Sequence, residues 1–355
     1  MAQQRTPSLI ARIEGLPIIL VFLLLLLFFM WKAPSAFLSP NMNTTFLTTL
    51  PPLVLLAAWL TFVIGAGEID LSFPSIIAFS GFVFAVLFKE YNLGWLAVIA
   101  ALLAGMFVGL VNGFLVAKIG IPSFIATLGT QFFWTGMAAV LSGGKSYALR
   151  GAEQSSVYKF IVGRPFATAG SFDWWSQVSV QALWTALICV ALWFVLTRHR
   201  FGEHVLFMGD SNAVSRVVGI DVDREKIKLF VLMGALAAAA AIMLTLENKN
   251  FFGNQGQGYL LTAIASVLIG GTSIFGGRAT LVGTVFGCLV MTIMQPGLVA
   301  MNLTGSLVLT VQGLIFLVSI VFYLFVDEPH RRAALLARVG IFRRTRELGR
   351  KPSAG

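Results

Sequence analysis

Ten apolar runs, separated by charged or turn-forming links, limit what this chain can fold into. They cover residues 16–32, 44–65, 73–88, 94–118, 122–142, 177–197, 227–246, 259–275, 279–299 and 303–326. A hydrocarbon layer about 30 Å thick is crossed by roughly 20 apolar residues in a helix. Only 11% of the chain is charged and 57% is hydrophobic, whereas soluble domains are about 25% charged. So little polar side chain cannot cover the molecule in water. The expectation is an all-α polytopic transmembrane bundle of about ten spans. The range is eight to ten, because the third and eighth runs are short enough to be half-helices or re-entrant segments.

Charge placement sets the orientation. With ten spans and both termini cytoplasmic, eighteen of the 25 lysines and arginines fall inside and seven outside, the bias expected of membrane proteins. Residues 1–15 then form a cytoplasmic N-terminal segment and 16–328 the permeation domain, with 329–355 as a basic cytoplasmic tail. The domain carries a long outside loop, 143–176, with Trp174 and Trp175 suited to an interface, and a long inside loop, 198–228. The first run follows Arg5 and Arg12 as a signal peptide would, but "KAPSAFLSP" is a poor cleavage site, so the run reads as a retained span. The net charge of +10 is concentrated in the tail without interleaved aromatics, which points to a lipid bilayer and away from nucleic acid.

No catalytic constellation is present. "SGGKS" at 142–146 has Ala139 where a phosphate loop needs glycine. His199, His204 and His330 lack metal-ligand spacing, and Cys189 and Cys288 lie in separate apolar runs as small hydrophobes. Catalytic residues and metal ligands are therefore expected to be none. Charge is missing from the centres of the spans, which disfavours an ion-coupled carrier.

Neutral polar groups remain as candidates to line a pathway: Ser75, Asn112, Thr127, Gln131 and Thr262. Glu68, Asp70 and Ser72 join them, because "GEIDLSFPS" at 67–75 places charge between apolar runs. Ser72 suits an N-cap and Pro74 the first helical turn, with Asp70 near the positive helix end. Gly105, Gly109 and Gly113 form a small-residue ridge for close helix packing. The pairs Gly270–Gly271 and Gly276–Gly277 suit a tight turn near a gate. In the inside loop, Asp210, Ser211 or Asn212 can cap a short helix over Ala213–Val218 that Gly219 ends.

Four stretches in order resemble the permease subunits of ribose-type sugar ABC importers: "GEIDLSFPS" (67–75), "NGFLVAKIGIPSFIATLGT" (112–130), "GDSNAVSRVVGIDVDREKIK" (209–228) and "AIASVLIGGTSIFGGRATLVGTVFG" (263–287). The resemblance covers residues 60–330. It implies a subunit with no cofactor of its own, ATP and magnesium being held by a partner ABC ATPase. A second permease copy, as a homodimer, and a periplasmic solute-binding protein would complete the importer in the bacterial inner membrane. The short cytoplasmic helix would be the coupling element, with Ser211, Asn212, Ala213, Arg216 and Gly219 in contact with the ATPase. Glu68, Phe73-Pro74 and Ser211-Asn212 depart from the family's usual glycine, Val-Gly and Asn-Pro, which leaves the solute open. A monosaccharide or polyol is the leading reading. Permeases for nucleosides or branched-chain amino acids, an ion-coupled carrier and a membrane scaffold are the rivals.

Overall fold

The computed structural model describes residues 15–166 and 177–317, apart from positions 304, 306, 312, 315 and 316. Thirteen α-helices lie wholly within the described residues: α1 Leu16–Lys32, α2 Pro34–Phe37, α3 Pro40–Gly65, α4 Phe73–Lys89, α5 Trp95–Phe114, α6 Ser123–Ser142 and α7 Ser156–Ile161. Then come α8 Val180–Arg198, α9 Arg200–Asp210, α10 Asn212–Val217, α11 Val222–Glu247, α12 Tyr259–Ile269 and α13 Leu281–Ala300. Nine of the ten apolar runs thus correspond to helices, while the tenth and the pair Trp174–Trp175 fall largely or wholly outside the described residues.

Among the described residues six helices are long and apolar enough to cross a membrane, and α1, α4 and α12 are shorter. The eighth run is shorter as a helix than as an apolar run. Its eleven residues rise only about 16 Å, because Gly270 and Gly271 close the helix and Gly271 takes φ +95°. The all-α bundle carries one short pair of strands. Tyr147–Ala148 and Asn250–Phe251 pair as two antiparallel strands of two residues each, clipping the long 143–176 loop onto the far end of α11. Glu153 and Lys249 add an ion pair at 2.5 Å beside this strand pair.

Burial orders the bundle around α3. In its apolar window 78% of residues are buried, against 22% in α8 and 28% in α6, so α3 is central and the latter two lie at the periphery of the bundle. Pro51 and Pro52 lie inside α3 and cannot donate to the carbonyls of Leu47 and Thr48 four residues back. Ser179 Oγ donates to the Leu47 carbonyl at 2.7 Å and Gln181 Nε2 to the Thr48 carbonyl at 3.4 Å. A helix that loses two of its own bonds is thereby repaired by α8 and the residue before it.

The α5–α11 pair sets the closest approach. Gly105 packs on Gly234, Gly109 on Phe230, and Gly113 on Ile227, each so near that an added Cβ would meet opposing backbone. Without a solvent-driven force between apolar helices in lipid, such close packing is what holds them together.

Candidate functional site

At the α3–α4 break, the chain leaves the helix at Gly65 and resumes it at Phe73. Six of the sequence-derived pathway candidates gather here. Asp70 Oδ1 accepts from the Ser72 N–H at 2.7 Å and from Ser72 Oγ at 2.6 Å. Asn112 Nδ2 donates to Ser72 Oγ at 2.7 Å, and Thr130 Oγ1 donates to Asn112 Oδ1 at 2.7 Å. Along α6, Ser123, Thr127 and Gln131 recur every fourth residue and so share one face. They accept the N–H groups of Ile69, Leu71 and Ser75 in turn, each at 3.0 Å.

This row of side chains does for an isolated extended segment what a neighbouring strand would do in a sheet. Buried backbone donors need partners, and α6 supplies them. It also answers the Ser75 N–H in the first turn of α4, where Pro74 removes one further donor.

One expectation is corrected. Ser72 occupies the N-cap position of α4, but its φ −87° and ψ −16° are helical and its hydroxyl makes no capping bond. The hydroxyl turns instead to Asp70, whose carboxylate spans the turn. Asp70, Ser72, Ser75, Asn112 and Thr127 are moreover fully enclosed. They are hydrogen-bonded to one another and to the break. Asp70 Oδ2 is the exception, with no partner among the described residues.

Glu68 sits apart from this seam and pairs with Lys226 in the first turns of α11. Their side chains are only 9% and 14% exposed, so the pair is effectively buried and ties the break to α11. Removing one partner of such a pair typically costs roughly 3–5 kcal/mol, while replacing both by apolar groups is close to neutral. Glu68→Gln and Lys226→Met are each expected to lower the thermal unfolding temperature in detergent, and Glu68→Met with Lys226→Met to restore most of it. Additive losses in the double variant would contradict the pairing.

The turn-forming glycines meet at the same end of the bundle. Gly276 and Gly277 take φ +83° and +77°, and the Gly277 N–H donates to the Gly65 carbonyl at 2.9 Å. Gly209, at the end of α9, lies against both: an added Cβ there would stand 2.0 Å from the Gly65 carbonyl oxygen and 2.3 Å from the Gly277 nitrogen. Gly270 instead packs on Gly283 of α13. Three chain segments, the end of α3, the end of α9 and the 270–280 turn, therefore touch backbone to backbone.

Immediately beyond Gly209, α10 runs over Asn212–Val217, one residue earlier at each end than the sequence suggests. Ser211 is its cap, accepting from the Val214 N–H at 3.3 Å. Gly219, at φ +89°, reverses the chain as the Ile220 N–H reaches back to the Ser215 carbonyl at 3.0 Å. Arg216 pairs with Asp223 at 2.5 Å and Lys118 reaches the same carboxylate at 3.3 Å. Asn212, Ala213, Arg216 and Gly219 are exposed, as are Val214, Val217 and Val218. Only Ser215 faces inward.

A family described as branched-chain amino acid transport system / permease component matches residues 42–320. The chain belongs to this permease family. The ribose import permease protein RbsC of Escherichia coli strain K12 is 30% identical to the permease over 267 residues, 75% of this chain and 80% of the relative. The L-arabinose ABC transporter permease protein AraH of Azospirillum brasilense is 30% identical over 305 residues, 86% of each chain. RbsC of Bacillus subtilis strain 168 is 31% identical over 267 residues, 75% of this chain and 79% of the relative. No solved structure gives a match. The permease is thus a multi-pass inner-membrane transport component rather than an enzyme.

Ser123, Thr130 and Lys226 escape a local reading of the sequence. The four-residue spacing of Ser123, Thr127 and Gln131 in an otherwise apolar helix is the one signal that marks the first of them. Thr262 lies away from the seam, half-buried on α12, donating to the Gly258 carbonyl at 3.0 Å.

Proposed function

We propose that the permease forms the translocation pathway of an ATP-binding-cassette importer for a monosaccharide or polyol. Ten spans place both termini in the cytoplasm, on the side of α9 and α10. Two copies pair, an ABC ATPase docks on α10, and a periplasmic solute-binding protein delivers solute to the opposite end. Residues 1–15 and 329–355 are cytoplasmic flanks of the 16–328 permeation domain, and ATP and magnesium stay with the ATPase.

The observation that carries this reading is α10. A capped six-residue helix in a charged loop exposes Val214, Val217 and Val218, which water alone does not favour and a cleft in a partner does. Arg216 and Asp223 brace it against α11, so a push is transmitted rather than absorbed. Through Gly209 the displacement reaches both the α3–α4 break and the 270–280 turn, which supports rocking of the pathway between two openings.

The relatives named above carry ribose or L-arabinose in their names, which favours a sugar. The family description names branched-chain amino acids, which supports the second reading. Reconstitution in proteoliposomes with the neighbouring ATPase and binding protein tests the importer. Uptake of labelled ribose or arabinose is expected only with ATP and both partners. Uptake by the chain alone, driven by an ion gradient, would overturn the reading.

A further inference from the structure

We propose that the cavity between α3, α12 and α13 is a transient binding site for a neutral, hydroxyl-rich solute, read by Thr49, Tyr259, Thr262, Thr292 and Gln295. The inference rests on the importer reading above and adds the place and chemistry of the solute. The cavity measures about 490 Å³, within the roughly 300–1,000 Å³ of small-molecule sites.

Its chemistry differs from that of its neighbours. A cavity of about 550 Å³ beside α1 is walled only by apolar side chains, among them Phe22, Met30, Phe46 and Leu289. A third, about 230 Å³, is lined by Cys189, Trp193 and otherwise aliphatic or phenyl side chains. The α3–α12–α13 cavity instead offers four hydroxyls and an amide, with Leu53, Met291 and Val299 between them. Sugars and polyols present the same alternation of hydroxyl and C–H surface.

One further acceptor comes from the backbone. Pro296 lies inside α13 and has no N–H for the Thr292 carbonyl four residues back. The analogous carbonyls opened by Pro51 and Pro52 are taken up by Ser179 and Gln181. No side-chain donor takes that place at Thr292 among the described residues, and Thr292, Gln295 and Pro296 all line the cavity. Thr262 already donates to Gly258, so its oxygen faces a solute as an acceptor.

Depth agrees with a site entered from outside. Gly65 and Ala279 are in contact at the α10 end of the bundle. At 1.5 Å per residue, Thr49 stands about 24 Å along α3 from Gly65, and Gln295 about 21 Å along α13 from Leu281. The cavity therefore opens in the half of the membrane opposite α10. Among the described residues its lining holds no carboxylate, ammonium or guanidinium. A zwitterionic amino acid would bury two charges there without partners, which is costly, so the lining selects against leucine and for a sugar.

The test uses the complete transporter in proteoliposomes, with Cys189→Ala and Cys288→Ala as background and Thr292→Cys as reporter. Labelling of Cys at that position by a small, membrane-impermeant thiol reagent is expected to slow at least threefold with millimolar ribose or arabinose and not with leucine. Thr292→Val and Gln295→Leu, made separately, are expected to cut uptake kcat/KM about five- to tenfold. ATP-driven sugar uptake with no labelling, or with labelling that neither sugar slows, would overturn the site and leave the importer reading standing. Protection and uptake with leucine but not with either sugar would overturn the site's sugar chemistry and the sugar reading together.

Discussion

Gly109→Val is expected to abolish a stable permease in detergent. An added Cβ at this position stands 2.2 Å from the Phe230 carbonyl oxygen and within 3.0 Å of two further backbone atoms of α11. Ordinary overpacking costs roughly 1–3 kcal/mol because a side chain can rotate away. Backbone cannot, so α5 and α11 must separate along the whole ridge that Gly105, Gly109 and Gly113 form. Gly234 sits in the same contact from the other side, its own Cβ position only 2.1 Å from the Gly105 carbonyl oxygen. Size-exclusion chromatography and thermal unfolding check the outcome: aggregated or absent protein for Gly109→Val, and a marked loss for Gly105→Val. Gly129 and Gly136 on α6 supply the contrast. Nothing lies within 4 Å of a Cβ at either, so alanine there is expected to be neutral or to stabilise by up to about 1 kcal/mol through helix propensity. Equal effects at all four positions would contradict the packing account.

Gly209→Val has a second large effect, expected in function as well as in stability. The junction of Gly65, Gly209 and Gly277 lets α9 touch the end of α3 and the 270–280 turn through backbone alone. A side chain at 209 forces α9 away, and α10, attached through Asp210 and Ser211, loses its hold on both elements. The ATPase is then expected to dock and hydrolyse ATP while solute uptake falls at least tenfold. Gly209→Ala is expected to show the same separation in milder form, which keeps the prediction readable if the valine variant folds poorly. Gly129→Ala in α6 is the control, since nothing stands within 4 Å of its Cβ. Its coupling ratio of uptake to hydrolysis is expected to remain that of the unmodified protein.

The apolar runs were legible because a span needs little more than length and hydropathy. Gly105, Gly109 and Gly113 were legible for a similar reason, since spacing by four places them on one helix face whatever they contact. Ser72 was misleading. Its residue type and its position before Pro74 suit a cap, but only the fold brings Asn112 and Asp70 to its hydroxyl. The bond from the Ile69 N–H to Ser123 spans 54 residues of sequence, and no local pattern encodes such a pairing. Glu68 is a similar case, since Lys226 reads as one more basic residue at a membrane boundary until α11 brings it alongside. The polar lining of the α3–α12–α13 cavity was visible only in part. Thr262 stood out as a polar residue in an apolar run, whereas the role of Pro296 depends on what fails to replace its missing donor.

The central claim is that α10 passes the work of ATP hydrolysis to the bundle. The most direct measurement is ATP hydrolysis in nanodiscs by the permease assembled with its ATPase, with and without solute-loaded binding protein. The unmodified assembly is expected to be stimulated by the loaded binding protein. Val214→Asp with Val217→Asp, two exposed positions whose change leaves the bundle interior intact, is expected to remove that stimulation and weaken ATPase co-purification. Full stimulation and undiminished co-purification with both valines replaced would contradict the account.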